Sequence, residues 1–180
     1  FYLRKLTMRN YPSNVATHLV GYLGEVNLRK TKEDPYYTKG DLTGVSGVVA
    51  AYEKQLRGTK GMAIKLVDVH NRDQGNFQEG RFDTLPISGS TLTSTIDIEL
   101  QEYGEQLMEN KIGAIVAIEP SSGEILSLVS APTYNPNLLI GRKRSENYSI
   151  LSQDENKPLF NRALQGTYPP GSTFKLINGL

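Results

Sequence analysis

Two apolar runs, Ile112 to Ile118 and Ile125 to Val129, stand out from a chain whose other hydrophobic residues are scattered. Each run is strand-sized. The six residues between them, Glu119-Pro-Ser-Ser-Gly-Glu124, hold the proline, serines and glycine of a turn, so the pattern predicts a β-hairpin. Both runs are nearly continuous in apolar side chains, so at least one face needs covering, with helices the expected cover. Thr91 to Ile96 reads as extended. Asp97 then reads as the cap of a helix running to about Asn110, with Ile98, Leu100, Leu107 and Met108 as its apolar positions.

The first sixty residues are rich in tyrosine, glycine and charge and show little periodicity. Asp34-Pro35 and Lys39-Gly40-Asp41 read as loop. Val48, Val49, Tyr52 and Leu56 recur at helical spacing, predicting a short helix over 46–56 with Arg57-Gly58 as its stop. Met62, Ile64 and Leu66 alternate with Ala63, Lys65 and Val67, predicting a strand over 62–69. The run Asn71-Arg-Asp-Gln-Gly75 reads as a turn. Residues 76–90 and the proline-bearing 132–160 read as loop. There is no internal repeat and no low-complexity tract.

Composition narrows the function classes. In 180 residues, 38% are apolar and 22% charged, which fits a folded chain of one domain or two small ones. Twenty basic residues against 19 acidic give a net charge of +1, so nucleic-acid binding has no electrostatic support. Cysteine is absent, which removes disulfides and thiolate metal sites. His18 and His70 stand far apart without ligand spacing, so no metal is expected. His18 is expected to be a packed or hydrogen-bonded residue, and Glu119 and Glu124 are expected to be solvated beside their turn. No apolar run is long enough to span a bilayer and no signal peptide opens the chain. With no initiator Met, the chain is expected to be a piece of a longer protein, cut at both ends.

The most chemical segment is Tyr168-Pro-Pro-Gly-Ser-Thr-Phe-Lys175. The two prolines hold extended geometry and Gly171 allows a sharp turn, so Ser172 is expected at the cap or first position of a helix. Lys175 comes almost one turn later on the same face, with its amine within reach of the Ser172 hydroxyl. A serine hydroxyl is a weak nucleophile and needs a base at hydrogen-bond distance. A lysine serves as that base once burial and the positive helix end drive its amine toward the neutral form. The bare Ser-x-x-Lys pattern arises by chance roughly once per chain of this size, so four residues alone decide nothing.

The longer string resembles the active-site serine segment of class B penicillin-binding proteins, the peptidoglycan DD-transpeptidases. The resemblance extends upstream in the family's order. His18-Leu-Val-Gly-Tyr-Leu-Gly24, Gly44-Val-Ser-Gly47 and Tyr52-Glu-Lys-Gln-Leu-Arg-Gly58 are similar to elements of its N-terminal module. Thr93-Ser-Thr-Ile-Asp-Ile-Glu-Leu-Gln101 resembles the entry to its transpeptidase domain. Gly113-Ala-Ile-Val-Ala-Ile-Glu-Pro-Ser-Ser-Gly-Glu-Ile-Leu-Ser-Leu128 and Pro132-Thr-Tyr-Asn-Pro-Asn137 resemble the hairpin that opens that domain, and Asn161-Arg-Ala163 resembles its approach to the serine. Proline at position 170, where division-type relatives tend to be acidic, aligns the chain with the elongation-type branch. Val49 departs from the pattern, because the family usually carries a glutamate there; packing is its expected role.

The resemblance implies an α+β fold. A partial mixed pedestal or dimerisation module over 1–90 precedes, over 91–180, the first helix and β-hairpin of a serine transpeptidase/β-lactamase-like domain that stops after the serine motif. It implies that Ser172 attacks the penultimate D-Ala carbonyl of a stem peptide with Lys175 as base, that an amine from a second stem peptide takes the acyl group, and that β-lactams acylate Ser172. It implies no cofactor and no metal. The implied partners are peptidoglycan stem peptides, β-lactams, and the membrane polymerase and scaffold proteins of the elongation complex. The implied location is the periplasmic face of a bacterial inner membrane, through an N-terminal anchor outside this chain, which makes the Asn147-Tyr-Ser149 sequon a chance match. The family's later Ser-x-Asn and Lys-Thr-Gly motifs would come after residue 180, so the chain alone is expected to be inactive. Two other readings stay open: a class D-type serine β-lactamase or β-lactam sensor, which also carries Ser-Thr-Phe-Lys, and a pedestal acting as a protein-binding module.

Overall fold

The computed structural model describes residues 9–179 and sorts them into two units, one built from the residues up to Val20 with those from Thr95 onward, the other from Gly21–Ser94. In chain order the elements are α1 (Thr17–Val20), β1 (Leu23–Glu25), α2 (Leu28–Glu33), β2 (Leu42–Gly44), α3 (Gly47–Ala51), α4 (Glu53–Leu56), β3 (Lys65–Val67) and β4 (Asp73–Asn76). They continue with α5 (Ile98–Leu107), β5 (Gly113–Ile118), β6 (Ile125–Ala131), α6 (Arg144–Gln153), α7 (Arg162–Gln165) and α8 (Lys175–Asn178). Short 3₁₀ turns stand at Phe77–Gly80, Pro136–Leu139 and Gly171–Phe174.

The discontinuous unit is organised by the predicted hairpin. β5 and β6 pair antiparallel from Gly113↔Ala131 to Ile118↔Ile125, with a register shift between Ala117 and Ile118. Ser127 to Ala131 of β6 are buried, whereas β5 alternates half-buried Gly113, Ile115 and Ala117 with exposed Ala114, Val116 and Ile118. One face is therefore covered, and α5 and α7 pack against the hairpin. Asp97 caps α5 as expected, its carboxylate accepting from the N–H groups of Glu99 and Leu100.

The buried stripe of α5 differs from the expected one: Gln101 and Gly104 are buried, while Ile98, Leu100 and Leu107 are exposed. The helix lies too close to β6 for a large side chain at 104. A Cβ there would stand 2.9 Å from Val129 Cγ2. Gln101 fits at the contact because backbone groups of β6 saturate its amide.

Residues 132–160, expected as loop, contain α6. It buries no residue, and Tyr148 and Ile150 are exposed, so its sequence carries no apolar stripe to reveal it.

In the continuous unit β1 and β2 pair antiparallel, α3 packs on β2, and Val26, Tyr37, Thr43 and Val49 form the interior. Val49 is 2% exposed and packs, as expected of a valine in that place. The predicted helix over 46–56 is two helices, α3 and α4, broken at Tyr52 (φ −108°, ψ 26°). Just past the break, the Glu53 carboxylate accepts from the Tyr37 hydroxyl at 2.7 Å and the Gly44 N–H at 2.7 Å, tying α4 back to the sheet. Arg57 comes next, ion-paired to Asp34 at 2.6 Å and lying 3.9 Å from the Tyr36 ring. That hydrogen bond holds the Asp34 carboxyl below its ordinary range.

The predicted strand over 62–69 shortens to β3, and β4 begins inside the predicted turn at 71–75; the actual turn lies between Asp68 and Arg72. Asp68 makes it, accepting from the N–H groups of His70 and Arg72 at 2.9 Å each. The alternation that suggested a longer strand buries neither side, since Met62, Ile64, Leu66 and Val67 are all exposed.

Candidate active site

The approach to Ser172 starts at Asn161, whose side chain caps α7 by accepting the Leu164 N–H at 3.2 Å. Gly166 ends that helix, its N–H donating to the Arg162 carbonyl at 3.0 Å. Residues 167–170 are irregular, as two prolines require. Gly171 then takes φ +59°, a left-handed turn that costs glycine little.

Ser172 sits inside the 3₁₀ turn Gly171–Phe174, and Phe174 occupies the cap position of α8. The serine is thus two residues earlier than the helix cap, and Lys175 is the first residue of α8. The 3₁₀ turn runs directly into α8, and residues three apart in a helical run are neighbours on its surface, the spacing that Ser172 and Lys175 have in sequence. Both are exposed, and no hydrogen bond joins them among the described residues. The hydroxyl is open to solvent in this chain. The burial of Lys175 that would arm it is not provided by these residues.

Ten residues before the serine, Arg162 centres a polar cluster that the sequence did not single out. Arg162 is buried, and its guanidinium donates to the carbonyls of Asn156 at 2.6 Å, Lys157 at 3.1 Å and Phe160 at 3.4 Å. Its backbone N–H donates to Ser130 Oγ at 2.9 Å, and that hydroxyl donates to the Phe160 carbonyl at 3.2 Å. Arginine in Asn161-Arg-Ala163 was the available signal, but an arginine ordinarily reads as surface.

The Pro132–Asn137 stretch is structural throughout. A cis peptide precedes Pro132. Tyr134 receives the buried His18 ring edge-on at 5.4 Å. Asn135 caps the Pro136–Leu139 turn, and Asn137 bonds reciprocally to the Tyr11 backbone, accepting its N–H at 3.2 Å and donating to its carbonyl at 3.0 Å. His18 packs, as expected. Burial pushes its pKa below the usual imidazole value, against the pull of the Pro132 carbonyl and with the help of the Arg162 charge. Its Nε2 is buried without a hydrogen-bond partner.

A cleft of about 670 Å³ opens at the C-terminal end of α5, lined by Glu105, Met108, Glu109, Ala131 and Pro132 among others. Ser172 and Lys175 are not part of it, so concavity alone would have pointed away from the serine. No group of His, Asp or Glu among the described residues could hold a metal ion.

The chain belongs to the penicillin-binding protein family. The model of the penicillin-binding protein dimerisation domain matches residues 1–94, and the model of the penicillin-binding protein transpeptidase domain matches residues 113–180. Among curated relatives, the peptidoglycan D,D-transpeptidase MrdA of Acinetobacter baumannii is 40% identical over 175 residues, covering 96% of this chain and 25% of that protein. The MrdA of Escherichia coli K12 is 37% identical over 174 residues, covering 93% of this chain and 27% of that protein. The chain thus spans about a quarter of the length of the curated relatives it matches.

Among solved structures, Pseudomonas aeruginosa PBP2 in complex with WCK 5153 superposes with a TM-score of 0.74 at 37% identity, over 93% of this chain and 33% of that one. The complex between PBP2 and MreC from Helicobacter pylori gives a TM-score of 0.77 at 32% identity, over 96% of this chain and 32% of that one. The mixed helix-and-strand architecture expected from the sequence is the one these PBP2 structures have over this stretch.

Proposed function

We propose that this chain carries the acyl-accepting serine of an elongation-type peptidoglycan D,D-transpeptidase, with a pedestal module over 1–90 and the opening of the transpeptidase domain over 91–180. One observation carries the reading. The exposed Ser172, three residues before Lys175, lies in the stretch that matches the transpeptidase model, and relatives up to 40% identical are named peptidoglycan D,D-transpeptidases. In the whole protein, Ser172 Oγ attacks the carbonyl of the penultimate D-Ala of a stem peptide while Lys175 takes its proton. Backbone N–H groups, that of Ser172 among them, hold the oxyanion. The terminal D-Ala leaves with a proton, and the amine of a second stem peptide then takes the acyl group from Ser172. A β-lactam enters the same first step and stays as an acyl-enzyme. The reaction needs neither a metal nor an organic cofactor, and it takes place at the periplasmic face of a bacterial inner membrane.

Labelling the whole protein with a fluorescent penicillin tests this. One label per molecule, lost in Ser172→Ala, is the expected result. Labelling that survives Ser172→Ala, or fast penicillin turnover of the kind a class D β-lactamase shows, contradicts it. The dimerisation-domain match over residues 1–94 argues against the β-lactamase, which has no such module. The 180-residue chain alone should not label, because the Ser172 hydroxyl and the Lys175 amine stand exposed and unbonded to each other. Removing a single oxyanion donor already costs on the order of 10²–10³-fold in rate.

A second, compatible reading assigns partner binding to the pedestal. Met62, Leu66, Val67, Val69, Leu85 and Ile87 are exposed apolar side chains within one short stretch, and the Helicobacter pylori relative is solved in complex with MreC. A scaffold or polymerase of the elongation machinery is the proposed partner. Capture of such a protein by the whole protein should be lost in Val69→Asp/Leu85→Asp; capture unaffected by the pair contradicts this surface.

A further inference from the structure

Arg162 is the last buried residue before the serine: all of Leu164, Gln165 and 167–172 are exposed, with Leu164 at 70% and Tyr168 at 61%. Among the described residues, Arg162 is thus the last buried anchor ahead of the serine segment. The anchoring is firm on both sides. The guanidinium gathers three carbonyls of the 156–160 loop, a geometry that uses its planar array of donors. The backbone N–H is tied to Ser130 in β6, the most buried strand of the unit, and Ser130 Oγ passes the link on to Phe160.

Local contacts and two prolines restrict the chain between Arg162 and Ser172. Asn161 caps α7, and the Gly166 N–H closes it on the Arg162 carbonyl. Position 166 has no room for a side chain: a Cβ there would stand 2.5 Å from the Arg162 carbonyl oxygen and 2.7 Å from Tyr168 Cε2. The Tyr168 ring thus closes over the end of the helix. Pro169 and Pro170 then leave only restricted backbone torsions before the Gly171 turn.

We propose that Arg162, locked to Ser130, is a positioning residue for Ser172: it sets where the serine turn points rather than touching the substrate. The proposal rests on the reading of Ser172 as the acylated nucleophile. Displacing a reacting group by about an ångström from a remote site can cost on the order of 10²-fold in rate without weakening ground-state binding. Loss of Arg162 should therefore appear in the acylation step.

The test is a time course of acylation of the whole protein by a fluorescent penicillin at several concentrations, resolved into a non-covalent Kd and an acylation rate constant per folded molecule. Arg162→Ala should lower the rate constant on the order of 10–100-fold with Kd unchanged. Arg162→Lys should not restore it, because an ammonium cannot span three carbonyls. Ser130→Ala, a smaller change that keeps the guanidinium, should lower it several-fold, and it decides the matter if Arg162→Ala does not fold. Folded variants with the wild-type rate constant overturn the proposal, as does a loss confined to Kd. Ser172→Ala separates the two readings: label lost there but acylation normal in Arg162→Ala and Ser130→Ala refutes only the positioning role, whereas label retained in Ser172→Ala refutes the nucleophile and this role with it.

Discussion

Gln101 pairs with Leu128 as a neighbouring strand would. Its amide oxygen accepts the Leu128 N–H at 2.7 Å and its Nε2 donates to the Leu128 carbonyl at 3.1 Å. Ser127 Oγ adds a bond to the same oxygen at 3.0 Å, and Nε2 also reaches Glu105, whose carboxylate accepts the Ala16 N–H at 2.8 Å. One glutamine thus satisfies two backbone groups of β6 at 1% exposure and links α5 to the N-terminal segment.

Replacing Gln101 by Leu should be costly although it makes the helix more apolar. It leaves the Leu128 N–H and C=O buried without partners, at about 1–3 kcal/mol for each such group. A loss of about 2 kcal/mol or more in urea unfolding is expected. Gln101→Glu should be costly too, because it sets a buried carboxylate oxygen against the Glu105 carboxylate and the Leu128 carbonyl that Nε2 now bonds. Equal stability of Gln101→Leu and wild type contradicts the account.

Gly104→Ala sets two effects against each other. Alanine in a helix interior gains about 1 kcal/mol over glycine. Here the new methyl would meet Val129 Cγ2 at 2.9 Å, and Val129 is 1% exposed with nowhere to turn. Overpacking costs about 1–3 kcal/mol, so a net loss is expected in unfolding measurements. Adding Val129→Ala should recover part of that loss; purely additive losses in the double variant would contradict direct contact.

His18 makes stability depend on pH in a definite direction. Burial lowers its pKa in the folded state, so below about 6.5 the unfolded chain binds the proton more readily. Stability is therefore fully present above that value. It declines as pH falls toward the folded-state pKa and then levels off with respect to this group. His18→Phe should flatten the unfolding free energy between about pH 7.5 and 5.5. An unchanged slope in that variant contradicts the assignment.

Arg57→Lys tests the knot in the continuous unit. The lysine keeps the charge toward Asp34 but loses the flat contact with Tyr36 at 3.9 Å and Tyr37 at 5.1 Å. A loss of about 1 kcal/mol in unfolding is expected from the cation–π contribution. No loss would make the ion pair the whole of the interaction.

The parts of this fold legible in the sequence are those where one element states its own pattern. The hairpin 113–131 is two apolar runs around a turn, and Asp97 is a cap before a helix. What was hidden depends on partners distant in sequence. Gln101 and Arg162 read as surface residues until Leu128, Ser130 and three loop carbonyls stand beside them. α6 was invisible because nothing buries it. The alternation over 62–69 promised a longer strand, yet pairing stops at Val67 where Asp68 collects the turn's N–H groups. At the candidate site, the motif put Ser172 at the cap or first position of a helix, whereas it lies in a 3₁₀ turn that leads into α8. That 3₁₀ turn opens on Gly171, which takes a left-handed φ of +59°.

The most direct measurement is peptide-mapped mass spectrometry of the whole protein after brief exposure to penicillin. The account predicts a single penicilloyl adduct on the peptide containing Ser172, lost in Ser172→Ala and slowed severely in Lys175→Ala. An adduct mapped to any other residue, or a folded protein that takes up none, would contradict it.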